Sequence, residues 1–355
     1  MKLKIQKNLI EKVIINMQHF LEKRDATQIT SHIYIEAKKG ITTIKATDRE
    51  IGLEVKIEDF EILQDGKTTA NGKRLLDIIK ILKSENEITL EAKDNYLHIC
   101  QDRSKFKLSI FDPEKFPKFP TTEQKAKIEM DSTKIIQGLK YILPSIDSNN
   151  PKFQLNGALI DIKKDFTNIV GTDTKRLSIF QIQNRAEDEI SLIIPKKASM
   201  EIQKIFNQNI EFFYDENDII LKQNGIFMFS RLINGDYPDY QRVIPKEFKT
   251  EINLPKKEFI EAIKMISSIS IEVQILFTRD SIIIQSLSPT NTEAKTEIPI
   301  DTPLDEFKLN ANSRYILDFL NQIESQNFKI GLNENIKPFV LKDKQFITVI
   351  MPIIV

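Results

Sequence analysis

The chain has 355 residues, 41% of them hydrophobic and 29% charged, with 51 Lys and Arg balanced against 51 Asp and Glu. That composition excludes a disordered chain and a single small core, and it predicts two or three domains of roughly 100 to 200 residues. A lone cysteine, Cys100, excludes an internal disulfide, and no apolar run approaches the ~20 residues of a bilayer span, so a cytoplasmic protein in a reducing compartment is expected.

The chain opens with an alternating strand at Lys2–Gln6. Leu9, Ile10, Val13, Ile14 and Met17 then recur at helical spacing behind Asn8, a good N-cap. Strands are predicted over 31–37, 41–47 and 51–57. A second helix follows Asn71-Gly72, with Leu75, Leu76, Ile79 and Leu82 on one face. Strands over 87–92, 96–101 and 105–111 come next, joined by turns at Asp94-Asn95 and Asp102-Arg103. Cys100 falls in an alternating pattern where a buried thiol is expected. The proline-rich run from Phe111 to Pro120 reads as a domain-closing linker.

The same order then begins again. Helical stretches open at Asn8, Ser132 and Lys256, each 124 residues after the last, and second helices begin near Asn71, Pro195 and Asn312. Thr47-Asp48 and Thr172-Asp173 end equivalent strands, and Phe116-Pro117 and Tyr237-Pro238 follow equivalent closing strands. A unit this long exceeds the 20 to 50 residues, roughly, of a solenoid repeat. The chain is therefore expected to hold three similar α+β domains over 1–120, 121–245 and 246–355, each with two helices on one face of antiparallel sheets.

The six helical stretches carry seventeen basic and seven acidic residues, so the rest of the neutral chain is anionic. Helices grouped on one face would present a cationic surface to a polyanion. No zinc-finger, RNP-type or helix-turn-helix pattern accompanies them, which points to sequence-independent phosphate contact. Catalytic chemistry has little support. His19, His32 and His98 are scattered, and the ten glycines form neither a P-loop nor a dinucleotide fingerprint. There is no GxSxG elbow. Asp215, Glu216 and Asp218 read as a hairpin turn, and Asp48 and Asp173 as turn caps. A metal-dependent nuclease would need clustered carboxylates on neighbouring strands, and a scaffold without a nucleic-acid role would ignore DNA at low salt.

The stretch from Phe153 to Leu177 reads as two strands joined by a polar turn. It contains the LeuAsnGly strand start at 155–157 and the TDTKRL run at 172–177. With TyrProAspTyr at 237–240 followed by ArgValIlePro, and the terminal MetProIleIleVal, these motifs cover the whole length. The chain resembles the bacterial sliding clamps, the beta subunit family of DNA polymerase III.

That resemblance implies three clamp domains per chain and a head-to-tail homodimer closing a ring around duplex DNA. The implied role is a non-catalytic processivity factor without a cofactor or metal. Positions matching the family's DNA contacts are Arg24, Asn149, Lys152 and Phe153; the helix count adds Lys73, Lys80, Lys196, Lys197 and Lys204. The subunit junction would involve Arg74 and Arg103 with Met265, Ile266 and Glu297. A groove between the second and third domains would take peptide motifs of the polymerase III catalytic subunit, the clamp loader, other polymerases and repair proteins. Matching positions are Leu155, Thr172, Thr174, Lys175, Arg176, Leu177, Pro238, Arg242, Val243, Ile336, Pro338, Ile350, Met351, Pro352 and Ile353. The apolar chain end independently suggests a segment that lines something. The chain departs from the family pattern at Lys175, at Phe153-Gln154 and at Ile354.

Overall fold

A computed structural model describes residues 1–207, 209–287 and 294–354. The first copy of the repeat contains β1 (Lys2–Gln6), α1 (Lys7–Met17), β2 (His32–Lys38), β3 (Ile41–Thr47), β4 (Ile51–Ile57), β5 (Glu61–Gln64), β6 (Gly66–Asn71), α2 (Gly72–Ile81), β7 (Glu87–Lys93), β8 (Tyr96–Gln101) and β9 (Ser104–Ser109). The second contains β10 (Ala126–Ile128), α3 (Ser132–Ile142), β11 (Gly157–Ile162), β12 (Phe166–Thr172), β13 (Arg176–Gln183), β14 (Ile190–Pro195), α4 (Lys196–Ile205), β15 (Glu211–Tyr214), β16 (Asp218–Gln223) and β17 (Ile226–Arg231). The third contains β18 (Thr250–Pro255), α5 (Lys256–Ser267), β19 (Glu272–Thr278), β20 (Ser281–Ser286), β21 (Lys295–Pro299), β22 (Glu306–Asn312), α6 (Ser313–Gln322), β23 (Asn327–Leu332), β24 (Phe339–Asp343) and β25 (Phe346–Ile350).

The chain forms two compact units, and the second copy contributes to both. Unit 1, residues 1–132 and 204–232, holds a five-stranded sheet, β5-β1-β7-β8-β9, and an eight-stranded sheet, β10-β15-β16-β17-β4-β3-β2-β6. The larger sheet runs across two copies because β17 pairs antiparallel with β4, Ile226 opposite Val55 through Ser230 opposite Ile51. Helices α1 and α2 pack on each other and bury Ile10, Ile14 and Met17 with Leu75, Leu76 and Ile79.

Unit 2, residues 133–203 and 233–355, repeats the device. Its eight-stranded sheet is β14-β11-β12-β13-β25-β24-β23-β18, joined where β13 meets β25, and its four-stranded sheet is β21-β20-β19-β22. Tyr141 of α3 stands edge-on to Phe180 and Phe346, and Phe319 of α6 stacks on Phe346 at 5.0 Å. The helices thus cover one face of the joint. The other face carries Leu159, Val170, Leu177, Ile179, Val340 and Val349 beneath the returning segment with Tyr237, Tyr240 and Phe248.

Several local expectations are corrected. Asn8 is not the first N-cap: strand β1 runs directly into the helix, Gln6 takes the cap position, and no side chain caps it. The regular helix stops at Met17, and one 3-10 turn continues to Phe20, so Lys23 and Arg24 lie in the following loop. Strands β5 and β6 follow β4 in a region for which no strand was expected. Cys100 is only half-buried. Alternation along β8 turns Leu97, Ile99 and Gln101 inward, leaving Cys100 with Tyr96 and His98 on the other face. The proline-rich run is a packed strap, since Phe116 is buried and Phe119 lies edge-on to Phe229 at 4.9 Å.

Candidate functional site

The site is built on the β12–β13 turn and the end of β25, both in unit 2. Thr172 Oγ1 donates to the Arg176 carbonyl at 2.6 Å and accepts from the Thr174 amide at 3.0 Å. Asp173 Oδ1 accepts from the amides of Lys175 and Arg176 at 3.0 and 2.9 Å. These bonds hold Thr174 at φ +73°, a left-handed conformation that strains a β-branched residue. Arg49 adopts φ +79° in the equivalent β3–β4 turn, with Thr47 and Asp48 in the same roles. The strain therefore belongs to the repeated turn, where it rigidly positions the fourth strand of each copy.

Arg176 anchors the other side of the strand. Its guanidinium donates to Asp173 at 3.1 Å, to Asp318 at 2.6 Å and to the Pro144 carbonyl, and it lies 4.3 Å from the Tyr315 ring centroid. This buried, fully engaged cation ties β13 to α6. Because side chains alternate, Leu177 faces the opposite side. Gly157 fits a tight approach next to Leu155: a Cβ there would sit 2.5 Å from the Ile194 carbonyl oxygen.

Leu155, Thr172, Thr174, Lys175, Arg176, Leu177, Pro238, Val243 and Met351 line one cavity of about 170 Å³, with apolar walls and few polar atoms. Tyr237, Asp239, Tyr240 and Val349 complete it. The TyrProAspTyr motif was legible in the sequence, yet only Pro238 was taken from it; Val349 carried no signal of its own and is brought in by the pairing of β25 with Leu177. Tyr240 donates to Asp161 at 2.7 Å and accepts from Asn168 at 2.9 Å, and burial pushes its phenol up to about 12. Burial drives Tyr237 higher still, and among the described residues its buried hydroxyl has no hydrogen-bond partner.

Six expected groove positions lie outside this lining. Ile350 is fully buried on the helix-covered side of β25, one residue out of phase with Val349 and Met351. Arg242 extends into solvent and pairs with Asp239 at 2.7 Å. Ile336 is exposed, Pro338 half-buried and Pro352 buried, and Ile353 donates its amide to the Asn310 carbonyl at 2.9 Å. Val355 lies outside the described residues.

The expected DNA contacts fall into separate groups. Lys73 and Lys80 share the exposed face of α2 with Arg74, although Asp77 interrupts it. Arg24 is exposed in its loop. Asn149, Lys152 and exposed Phe153 occupy one loop, which Asn156 pins by accepting from the Asn150 amide at 2.8 Å. Lys197 and Lys204 are exposed on α4. Lys196 differs: its half-buried ammonium donates to the Ile146 carbonyl, as Lys256 does to Ile323 at 2.6 Å and as buried Lys7 does to Glu11. Lys7, Lys196 and Lys256, all among the counted helical cations, therefore satisfy internal acceptors.

For the expected junction, Arg74, Arg103, Met265 and Glu297 are exposed. Ile266 is a correction: its side chain is fully buried among the unit 2 core residues and cannot meet another subunit. The acidic run at 215–218 is a hairpin turn, in which Asp215 Oδ1 accepts two amides at 2.8 Å and Lys125 reaches both Asp215 and Asp218. Burial opposes ionisation of Asp215, but Lys125 and the turn amides outweigh it and hold the carboxyl below its usual range.

Family models for the DNA polymerase III beta subunit match the chain as N-terminal, central and C-terminal domains over residues 1–120, 129–239 and 241–354. A Beta sliding clamp of Helicobacter pylori is 37% identical over 353 residues, covering 97% of this chain and 94% of that protein. A crystal structure of the Helicobacter pylori beta clamp bound to a DNA ligase peptide superposes with TM-score 0.93 at 36% identity, over 100% of both chains. The Bacillus subtilis DNA polymerase sliding clamp, at 23% identity and TM-score 0.91, shares the fold. With three matching domains spanning nearly its whole length, the chain belongs to the DNA polymerase III beta subunit family, the non-catalytic sliding clamps of replication.

Proposed function

We propose that two copies of this chain close head to tail into a ring around duplex DNA and tether the replicative polymerase, the clamp loader and repair proteins to it. The observation that carries this reading is the repeated joint. The last strand of one copy pairs with the fourth strand of the copy before it, β17 with β4 and β25 with β13. That rule leaves β9 and β21 as its two unused partners, each at the edge of its sheet. Pairing β9 of one protomer with β21 of the other uses both edges and closes after two chains. Exposed apolar side chains flank each edge: Ile81 on α2, which packs beside β9, and Met265 on α5, which packs beside β21, with Ile269 just beyond it.

In this reading Arg24, Lys73, Lys80, Asn149, Lys152, Phe153, Lys197 and Lys204 face the phosphates, and Lys196, at the start of α4, mainly braces the segment at Ile146. Contacts of this kind are sequence-independent and weaken with salt, so the closed ring and not the individual contact retains the protein. Domain limits of 1–120, 121–245 and 246–355 fit the repeat. The Leu155–Met351 cavity is the proposed peptide groove, with Leu177, Val243, Val349 and Met351 taking apolar anchors. The Helicobacter pylori structure with a ligase peptide supports such an occupant. Among the described residues no helix is long and apolar enough to cross a membrane, and a cytoplasmic site of action fits replication.

The test is topological. The protein is loaded by its clamp loader and ATP onto nicked circular DNA, and the DNA is then cut once. Retention on circles with loss on linearisation is expected; equal retention on both would show ordinary binding and remove the ring.

A further inference from the structure

The two joints are alike in detail, so the position of the Leu155–Met351 groove has a counterpart in unit 1. The Arg231 amide donates to the Glu50 carbonyl at 2.8 Å, as Met351 donates to Lys175 at 2.9 Å. Phe229 lies opposite Gly52, as Val349 lies opposite Leu177. The strap carrying Pro117 and Phe119 crosses this joint where Pro238 and Tyr240 cross the other. At that place unit 1 has a cleft of about 450 Å³.

Its chemistry is different. Arg49 and Arg231 stand where Thr174 and Met351 stand in the other groove, and Lys115 and Lys118 join them. All four side chains are exposed, and among the described residues none forms an ion pair. The one carboxylate in the lining, Asp218, has the Lys125 ammonium 3.8 Å away. Phe119 and Phe229 form an aromatic floor. Gly52 makes room for it, because a Cβ there would fall 2.2 Å from the Phe229 ring.

We propose that this cleft is a second peptide-docking site, for a partner segment carrying acidic side chains around one aromatic or aliphatic anchor. Four unpaired cations around an apolar floor complement that chemistry. A nucleic-acid strand fits less well. On the far side of Phe119 the surface carries Lys45, Lys56 and Lys222 together with Glu54, Glu123 and Glu211, and Glu54 pairs with Lys45 at 2.7 Å, so no uniformly cationic track leads an extended phosphate backbone away from the cleft, whereas a short segment ends within it. From the reading of the first groove the proposal borrows only the expectation that a chain segment lies across such a joint.

The experiment uses the full-length protein and a fluorescein-labelled peptide, Glu-Asp-Glu-Phe-Leu-Glu-Asp, followed by anisotropy. At low salt, ~50 mM, saturable binding is expected, weakened about tenfold or more by Arg49→Glu with Arg231→Glu and by added salt. Lys118→Glu, a single exposed change, acts in the same direction. Met351→Glu, which alters the first groove, leaves this binding unchanged. The proposal is overturned by absence of saturable binding, by indifference to the charge reversals, by loss of binding in Met351→Glu, or by tighter binding of a short oligothymidylate. A ligase-type apolar peptide run in parallel reports the first groove alone, so failure of one reading is separable from failure of the other.

Discussion

Tyr237 is the residue in the groove that packing alone does not explain. A buried hydroxyl without a partner costs about 1 to 3 kcal/mol, and burial keeps it protonated and able to donate. A carbonyl of a bound peptide is the natural acceptor. Tyr237→Phe is expected to weaken peptide binding roughly three- to tenfold while leaving the melting temperature unchanged or slightly raised; unchanged affinity would leave the hydroxyl without this role. His32 makes a second residue-level case. It is buried, stacks on Phe111 at 4.2 Å and lies 3.2 Å from Thr69 Oγ1. Burial, assisted by Arg74, lowers its pKa from 6.5 to about 4. Between those values the unfolded chain binds a proton that the native state refuses. The stabilisation is therefore complete above 6.5 and is lost as pH falls toward 4. His32→Phe is expected to flatten that part of the melting-temperature profile, measured by calorimetry against the parent protein.

Among elements, the second helices were the most legible. Asn71 and Asn312 each end a strand and cap the next helix through the amides of Arg74 and Arg314, at 3.1 and 3.0 Å. Of the first helices only α1 was misread at its start, because an Asn inside a helix's first turn looks like a cap to pattern reasoning, whereas α3 and α5 begin at Ser132 and Lys256 as expected. Strand β25 shows what pattern reasoning lacks. Its apolar run signalled burial but not which face each residue takes, so Ile350 was grouped with Met351 although the two point oppositely. Truncation after Ile350 keeps the paired strand and removes Met351 from the cavity. Such a protein is expected to remain folded and dimeric by sedimentation yet lose polymerase stimulation; retained stimulation would relocate the groove.

For the whole molecule the determining feature is a joint used twice inside the chain, with β9 and β21 left at the edges of their sheets. Placing a charge in the apolar flank of β21, as in Met265→Glu with Ile269→Glu, is expected to give monomers at micromolar concentration in analytical ultracentrifugation. The monomer should keep its peptide groove and lose retention on circular DNA. A dimer unaffected by both charges would place the interface elsewhere.

The order of amino acids was enough to determine three copies of one unit, the pairing of helices with antiparallel strands, and the family, since periodicity, turn residues and spacing are local quantities. The joints were decided only in three dimensions. Ser178 and Thr348, 170 residues apart, share a hydrogen bond of 2.8 Å across β13 and β25, and no local pattern encodes which distant edges meet or in what register. The same pairing chose which side chains line the groove, and tertiary packing left Tyr237 without a partner among the described residues and brought Lys196 and Lys256 to the carbonyls of Ile146 and Ile323, because each outcome depends on what a neighbouring element brings within reach.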